Sequence, residues 1–245
     1  MVNFVVAWVI FQILLLAAVL FVGVQYYYYF ETVFANNSQQ LFLSLFLSIC
    51  FTLFSFLLLF VTINRIARLL MRNEEGILQG WDWVLWGIAM ASQDCAYFLV
   101  NKLFINQIFP AVFYKLFGCK LGKRVGIYSR LWDVELIEIG DDTYIGTGCI
   151  IGSHAISQGE LYRKRIRIGK NCTIGAGTIM LPGVTIEDKV IVASNSVIPS
   201  NRVLRTNSIY AGSPVKRIKD WHGEIVWEKS AKNSANTEKA EEFKN

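Results

Sequence analysis

The chain has 245 residues, 53% of them hydrophobic, and 24 Lys and Arg stand against 19 Asp and Glu. The excess of five positive charges does not point to nucleic acid, because much of it lies beside apolar segments or in Arg163–Arg167, where a phosphate or anionic lipid explains it equally well. The five cysteines (Cys50, Cys95, Cys119, Cys149 and Cys172) form no Cys-x-x-Cys pair and read as small buried hydrophobes rather than disulfide partners.

Residues 4–30 carry no charge and one central polar residue, Gln12, and residues 41–63 are again uncharged. Each run is long enough to cross about 30 Å of hydrocarbon at roughly 1.5 Å per residue. A cleaved signal peptide would be shorter, start with basic residues and end in a small-residue cleavage pattern. Arg65, Arg68 and Arg72 follow the second run directly. Residues 1–72 are therefore expected to form a transmembrane hairpin in an integral membrane protein, with the N-terminus and everything after residue 64 cytoplasmic.

Residues 73–118 mix Trp, Phe and Tyr with Asp82, Asp94, Asn101, Lys102 and Asn106, and Pro110 interrupts any long helix. The pattern predicts amphipathic helices at a membrane surface, not a third complete span; docking helices that cover the end of the next domain fit the same pattern.

From residue 119 to 220 the chain repeats in hexads. Aliphatic residues recur at Leu121, Ile127, Ile139, Ile145 and Ile151, and again at Ile168, Ile174, Met180, Ile186, Val192 and Ile198. Four positions later come small or apolar residues such as Leu131, Ile137, Thr143, Cys149, Ala155, Cys172, Thr178, Val184, Val190 and Ser196. A short strand and a tight corner satisfy this spacing, and a helix does not. Three units close a triangular coil, which predicts a parallel β-helix. Asp133 falls on an inward position, and the stretch between Ile151 and Ile168 is not a whole number of hexads, which implies a short loop somewhere in 157–165. The flat coil sides suit packing into a homotrimer. Residues 221–245 are polar and form a short helix or a disordered tail.

Two histidines are present, His154 and His222. His154 sits at an outward corner just before the break in the repeat, so it is either a general base in a pocket wall or an exposed corner residue. His222 lies beyond the repeat and reads as structural. Asp133 and Glu135 fall near His154 if three hexads make one coil, with Leu136 directly beneath it. A carboxylate in the β-helix interior needs a partner, so Trp132–Glu135 is expected to depart from regular geometry. Glu135 is otherwise a surface charge. No catalytic zinc site is predicted, since two histidines fall short of a three-histidine set.

The repeat, followed by Ile209-Tyr-Ala-Gly-Ser-Pro-Val-Lys-Arg-Ile218, resembles the hexapeptide-repeat acyltransferases with a left-handed β-helix. Asp133, Glu135, Leu136, Ile139-Gly140-Asp141 and His154 further resemble the membrane-attached repeat modules of amino-acid ligases that are like nonribosomal peptide synthetases. The resemblance implies a trimer that moves an acyl group from an acyl-CoA or carrier thioester to a hydroxyl or amine, with His154 as base and Asp133 and Glu135 beside it. It places the donor's pantetheine arm near Gly175, Ala176, Ala193 and Ser194, and its phosphates near Lys216 and Arg217. These two cations, like Arg163, Lys164 and Arg165, are equally well read as solvated charges. A tether would suit membrane lipids as partners and a lipid-linked acceptor. A noncatalytic trimeric scaffold for a cytoplasmic partner fits the same sequence.

Overall fold

The computed structural model describes residues 2–34, 38–72, 74–102 and 110–220. His222 and the tail from 221 lie outside them, as do 35–37, 73 and 103–109 within the segments discussed above.

The hexads form a left-handed parallel β-helix whose strands stack into three sheets. Ile174 lies over Ile145 and under Val192, Met180 lies over Ile151 and under Ile198, and Ile186 lies over Ile168 and under Leu204. These inward aliphatics are buried, and so are Thr143, Cys172, Thr178, Val184, Val190 and Ser196 four positions on from an aliphatic. The buried hydroxyls stay satisfied because they point at corner carbonyls: Thr178 Oγ1 donates to Gly175 O at 2.7 Å and Ser196 Oγ to Ala193 O at 2.7 Å. One corner is turned in successive coils by Asp142, Asn171, Lys189 and Asn207, all with φ between 52° and 57°. Asn and Asp tolerate that left-handed conformation better than other side chains.

The coil departs from the repeat in two places, and both concern the region around His154. Ile127 pairs with Ile145 across one regular coil, whereas Leu131 pairs with Ile151 across a coil that holds two residues more. The extra pair is taken up at a single 3-10 turn, Val134–Leu136, which Asp133 begins at φ 50°. Leu131 therefore fills the inward place expected of Asp133, and Asp133 is buried outside the coil. The second departure is larger than the short loop expected. Ile168 pairs with Ile186 across a regular coil, but the coil that joins Ile139 to Ile168 is eleven residues longer. This excursion is an antiparallel hairpin of strands His154–Ser157 and Glu160–Arg163, turned by Gln158 and Gly159 with positive φ. Strand Gly76–Leu78 pairs along its outer edge. His154 thus lies opposite Arg163 rather than above Leu136, and Ala155 leaves the coil interior.

Among the described residues, four helices precede the repeat: α1 (Val2–Phe34), α2 (Ser38–Leu70), α3 (Trp81–Lys102) and α4 (Pro110–Leu116). Among the described residues, Phe42–Leu70 and Trp81–Val100 are long and apolar enough to cross a membrane, a criterion that a core helix also meets. The second of these is the stretch whose polar residues had suggested a surface helix. Polar residues on and against this helix have protein partners. Gln93 Nε2 donates to Leu131 O at 2.9 Å, Asp94 pairs with Arg130, and Asn64 Nδ2 of α2 donates to Ala89 O of α3 at 2.7 Å. α4 buries Phe113 and Tyr114 against the first coil, and Tyr114 Oη donates to Ser129 O at 3.0 Å. Docking onto the repeat accounts for Gln93 and Asp94 in the apolar run. Cys50 is exposed on α2, contrary to the buried role expected of it, while the other four cysteines are buried.

Candidate active site

The 3-10 turn and the hairpin bring Asp133 and His154 together. Asp133 is 1% exposed, and its Oδ2 pairs with His154 Nδ1. Its Oδ1 accepts from Trp86 Nε1 on α3 at 2.6 Å and lies 3.3 Å from Arg163 Nη2. Burial pushes the Asp133 carboxyl up, but the hydrogen bond with His154 and the Arg163 charge outweigh it and hold the group below the ordinary carboxylate range. An ionised Asp133 requires a proton on Nδ1 to bond with it, which leaves the Nε2 lone pair available. Nε2 has no hydrogen bond among the described residues, and the ring is 26% exposed. The Trp86 indole meets that ring at 5.1 Å between centroids and 68° between planes.

Glu135 points away from the histidine. It is held between Arg68 of α2, at 2.6 Å, and Arg163 of the hairpin. Burial pushes the Glu135 carboxyl up while Arg68 pulls it down, and burial also lowers the Arg68 guanidinium. Arg163 is 2% exposed, so the solvated role open to it in the sequence is corrected to a buried bridge between Asp133 and Glu135. Arg165 reaches Glu75 at 2.9 Å and Glu138 at 3.1 Å. A cavity of about 440 Å³ adjoins this network, lined by Arg65, Arg68, Leu69, Met71, Glu74, Glu135 and Arg163.

Gly175, Ala176, Ala193 and Ser194 share a different corner. A Cβ on Gly175 would lie 2.7 Å from Ala193 C and still closer to the Ser194 amide, so glycine is what lets the next coil approach. Ala176 and Ser194 are exposed there. Lys216 and Arg217 are exposed on a final strand that turns back antiparallel along Ser208–Ala211. Asp133, Glu135 and His154 are thus gathered at the hairpin, and the six other residues lie along the far coils. Trp86, Arg68 and Arg163 are the parts of the site that the repeat did not point to. Trp86 and Arg68 lie on helices without any hexad signal, and the only pointer was that polar atoms interrupt those helices.

Residues 165–200 match the model of the hexapeptide repeat of succinyl-transferase. Delta-poly-L-ornithine synthetase of Acinetobacter baumannii is 24% identical over 108 residues, covering 44% of this chain and 8% of that protein. A putative lipopolysaccharide biosynthesis O-acetyl transferase of Escherichia coli is 27% identical over 124 residues, 44% of this chain and 62% of the relative. The chain thus spans less than two thirds of either relative. A solved hexapeptide-repeat acetyltransferase of Vibrio cholerae superposes with TM-score 0.44 at 19% identity, over 59% of this chain and 95% of that one. The expected placement as an integral membrane protein with a cytoplasmic N-terminus is not carried by the apolar helices, whose length and composition a core helix shares. That placement is withdrawn. What the chain carries is a left-handed β-helix of hexapeptide repeats, similar to those of acetyltransferases.

Proposed function

We propose that this protein is an acyltransferase that moves an acyl group from a thioester, acyl-CoA or an acylated carrier, to a hydroxyl or amine. The observation that carries this reading is the anchoring of His154 Nδ1 on a buried carboxylate, with Nε2 left unbonded. In the proposed step, Nε2 takes the acceptor's proton as its oxygen or nitrogen attacks the thioester carbonyl. The tetrahedral intermediate collapses with cleavage of the C–S bond, and the imidazolium returns the proton to the leaving thiolate. Matches to several acetyltransferases support acyl-CoA as donor, and solved neighbours include a galactoside acetyltransferase in complex with coenzyme A. Gly175, Ala176, Ala193 and Ser194 would line the donor's pantetheine arm, and Lys216 and Arg217 would meet its phosphates. The Gly175 corner and the dyad lie apart on the chain, which suits a homotrimer whose clefts bring one subunit's corner to another's histidine. The finer likeness to ligase-attached modules rests on Asp133, Glu135, Leu136, Ile139-Gly140-Asp141 and His154.

The test is thiol release by the full chain across a panel of acyl-CoA donors with hydroxyl and amine acceptors, repeated with His154→Ala. Acceptor-dependent thiol release that the variant loses supports the reading. Equal turnover by both proteins would overturn the role of His154. Absence of turnover in every pairing, from a trimer that binds no CoA, would favour the scaffold.

A further inference from the structure

Outside the dyad, the group with the most direct path to the chemistry is Trp86. It belongs to α3, well ahead of the first coil strand at Lys120–Leu121 and outside the segment that matches the repeat family. Its indole makes two contacts at once. Nε1 donates to Asp133 Oδ1 at 2.6 Å, and the ring packs crosswise against that of His154.

We propose that Trp86 is a positioning residue for the acyl-transfer step, acting through Asp133 to fix the tautomer and direction of the His154 ring. The carboxylate has two oxygens, and the structure divides them. Oδ1 is occupied by Trp86 and flanked by Arg163, so Oδ2 is turned to His154. A buried carboxylate engaged on one oxygen cannot swing without leaving a donor unpaired, which costs more than the bond itself contributes. The same indole closes one side of the imidazole to water. Trp86 is held in turn because α3 is fixed to the coil below it by Gln93 and Asp94. The charged groups facing the dyad are Arg163 from the hairpin and, one step out, Glu135 with Arg68 from α2.

The proposal rests on the assignment of His154 as base, and the test separates the two. Trp86→Phe keeps a ring and removes the N–H. With an acyl-CoA substrate that the wild type turns over, kcat should fall about tenfold or more, the equivalent of one hydrogen bond to a charged group, while KM for the donor stays near its wild-type value. Removing the donor concentrates charge on Asp133, which stabilises the imidazolium. The acid limb of kcat/KM should therefore move to higher pH, and an NMR titration of the His154 ring in the full chain should move the same way. A loss of activity that merely tracks loss of folded protein leaves the ring titration of the folded fraction unmoved, and that result would overturn the proposal. So would an unshifted titration with unchanged kcat. If His154→Ala is fully active, the base assignment fails, yet the ring titration of Trp86→Phe still decides whether the indole controls the histidine.

Discussion

Leu131 and Ile151 pair across neighbouring coils with two more residues between them than separate Ile127 from Ile145 on the adjacent face. The step from Ile127 to Leu131 is two residues short of a hexad and the step from Leu131 to Ile139 two residues long, which moves Asp133 out of the inward register and into the reach of His154. The candidate site is therefore a local error in the repeat, held in place by helices and a hairpin that do not belong to the repeat.

Replacing His154 by Ala should leave the fold intact, since the ring is partly exposed and its neighbours are fixed by other bonds. Loss of a general base lowers the rate by roughly 10²–10⁴-fold. Thiol release under single-turnover conditions, with circular dichroism as the control for folding, measures both.

Asp133 links stability to pH with a definite sign. Its folded carboxyl is held below the ordinary 3.8, so its contribution is present above that pH and is lost as pH falls through the depressed value. Glu135, pushed the other way by burial, contributes with the opposite sign. Asp133→Asn should flatten the loss of stability in acid below about pH 4, measured as denaturant midpoint against pH. An acid limb identical to wild type would show that folding does not lower the Asp133 carboxyl.

Glu135→Ala should be much more harmful than a surface change. It leaves Arg68 and Arg163, 11% and 2% exposed, without their shared carboxylate. Breaking a buried pair in this way costs about 3–5 kcal/mol. Lys120→Ala removes an exposed pair with Glu138 at 2.8 Å and should stay within about 0.5 kcal/mol. Chemical denaturation of the two variants side by side distinguishes them.

The small residues at the corner give a pair of opposed outcomes. Gly175→Ala drives a methyl into the Ala193–Ser194 backbone, displacing a coil at a cost of roughly 1–3 kcal/mol. Gly148→Ala meets no atom within 4 Å and carries only the left-handed strain of φ 69°, roughly 1–2 kcal/mol. If the corner lines the donor arm, Gly175→Ala also raises KM for the thioester, and Gly148→Ala does not.

The run from Ile168 to Ile198 was fully legible, because a hexad period leaves each strand one way to face inward. The same rule is silent on how far a chain may leave the coil and return, so the repeat implies only a short loop where the structure has a full hairpin at His154. The pairing of Asp133 with His154 was within reach, since both lie near the break. The Trp86 and Arg68 contacts were not. They join the hairpin region to helices far back in the chain, at sites where no local period signals a partner.

Strand Gly76–Leu78 lies along the hairpin that carries His154, matched to residues 161–163 across a long stretch of intervening chain. Closing so long a loop is slow compared with stacking one coil on the next. The coils can form by local zipping, each on the one before, while the strand at residues 76–78, α2 and α3 must arrive from a distance to supply backbone, Arg68 and Trp86. Assembly of the histidine's surroundings is therefore expected to be a late event in folding, so newly made chains would hold a complete repeat before they hold a competent site.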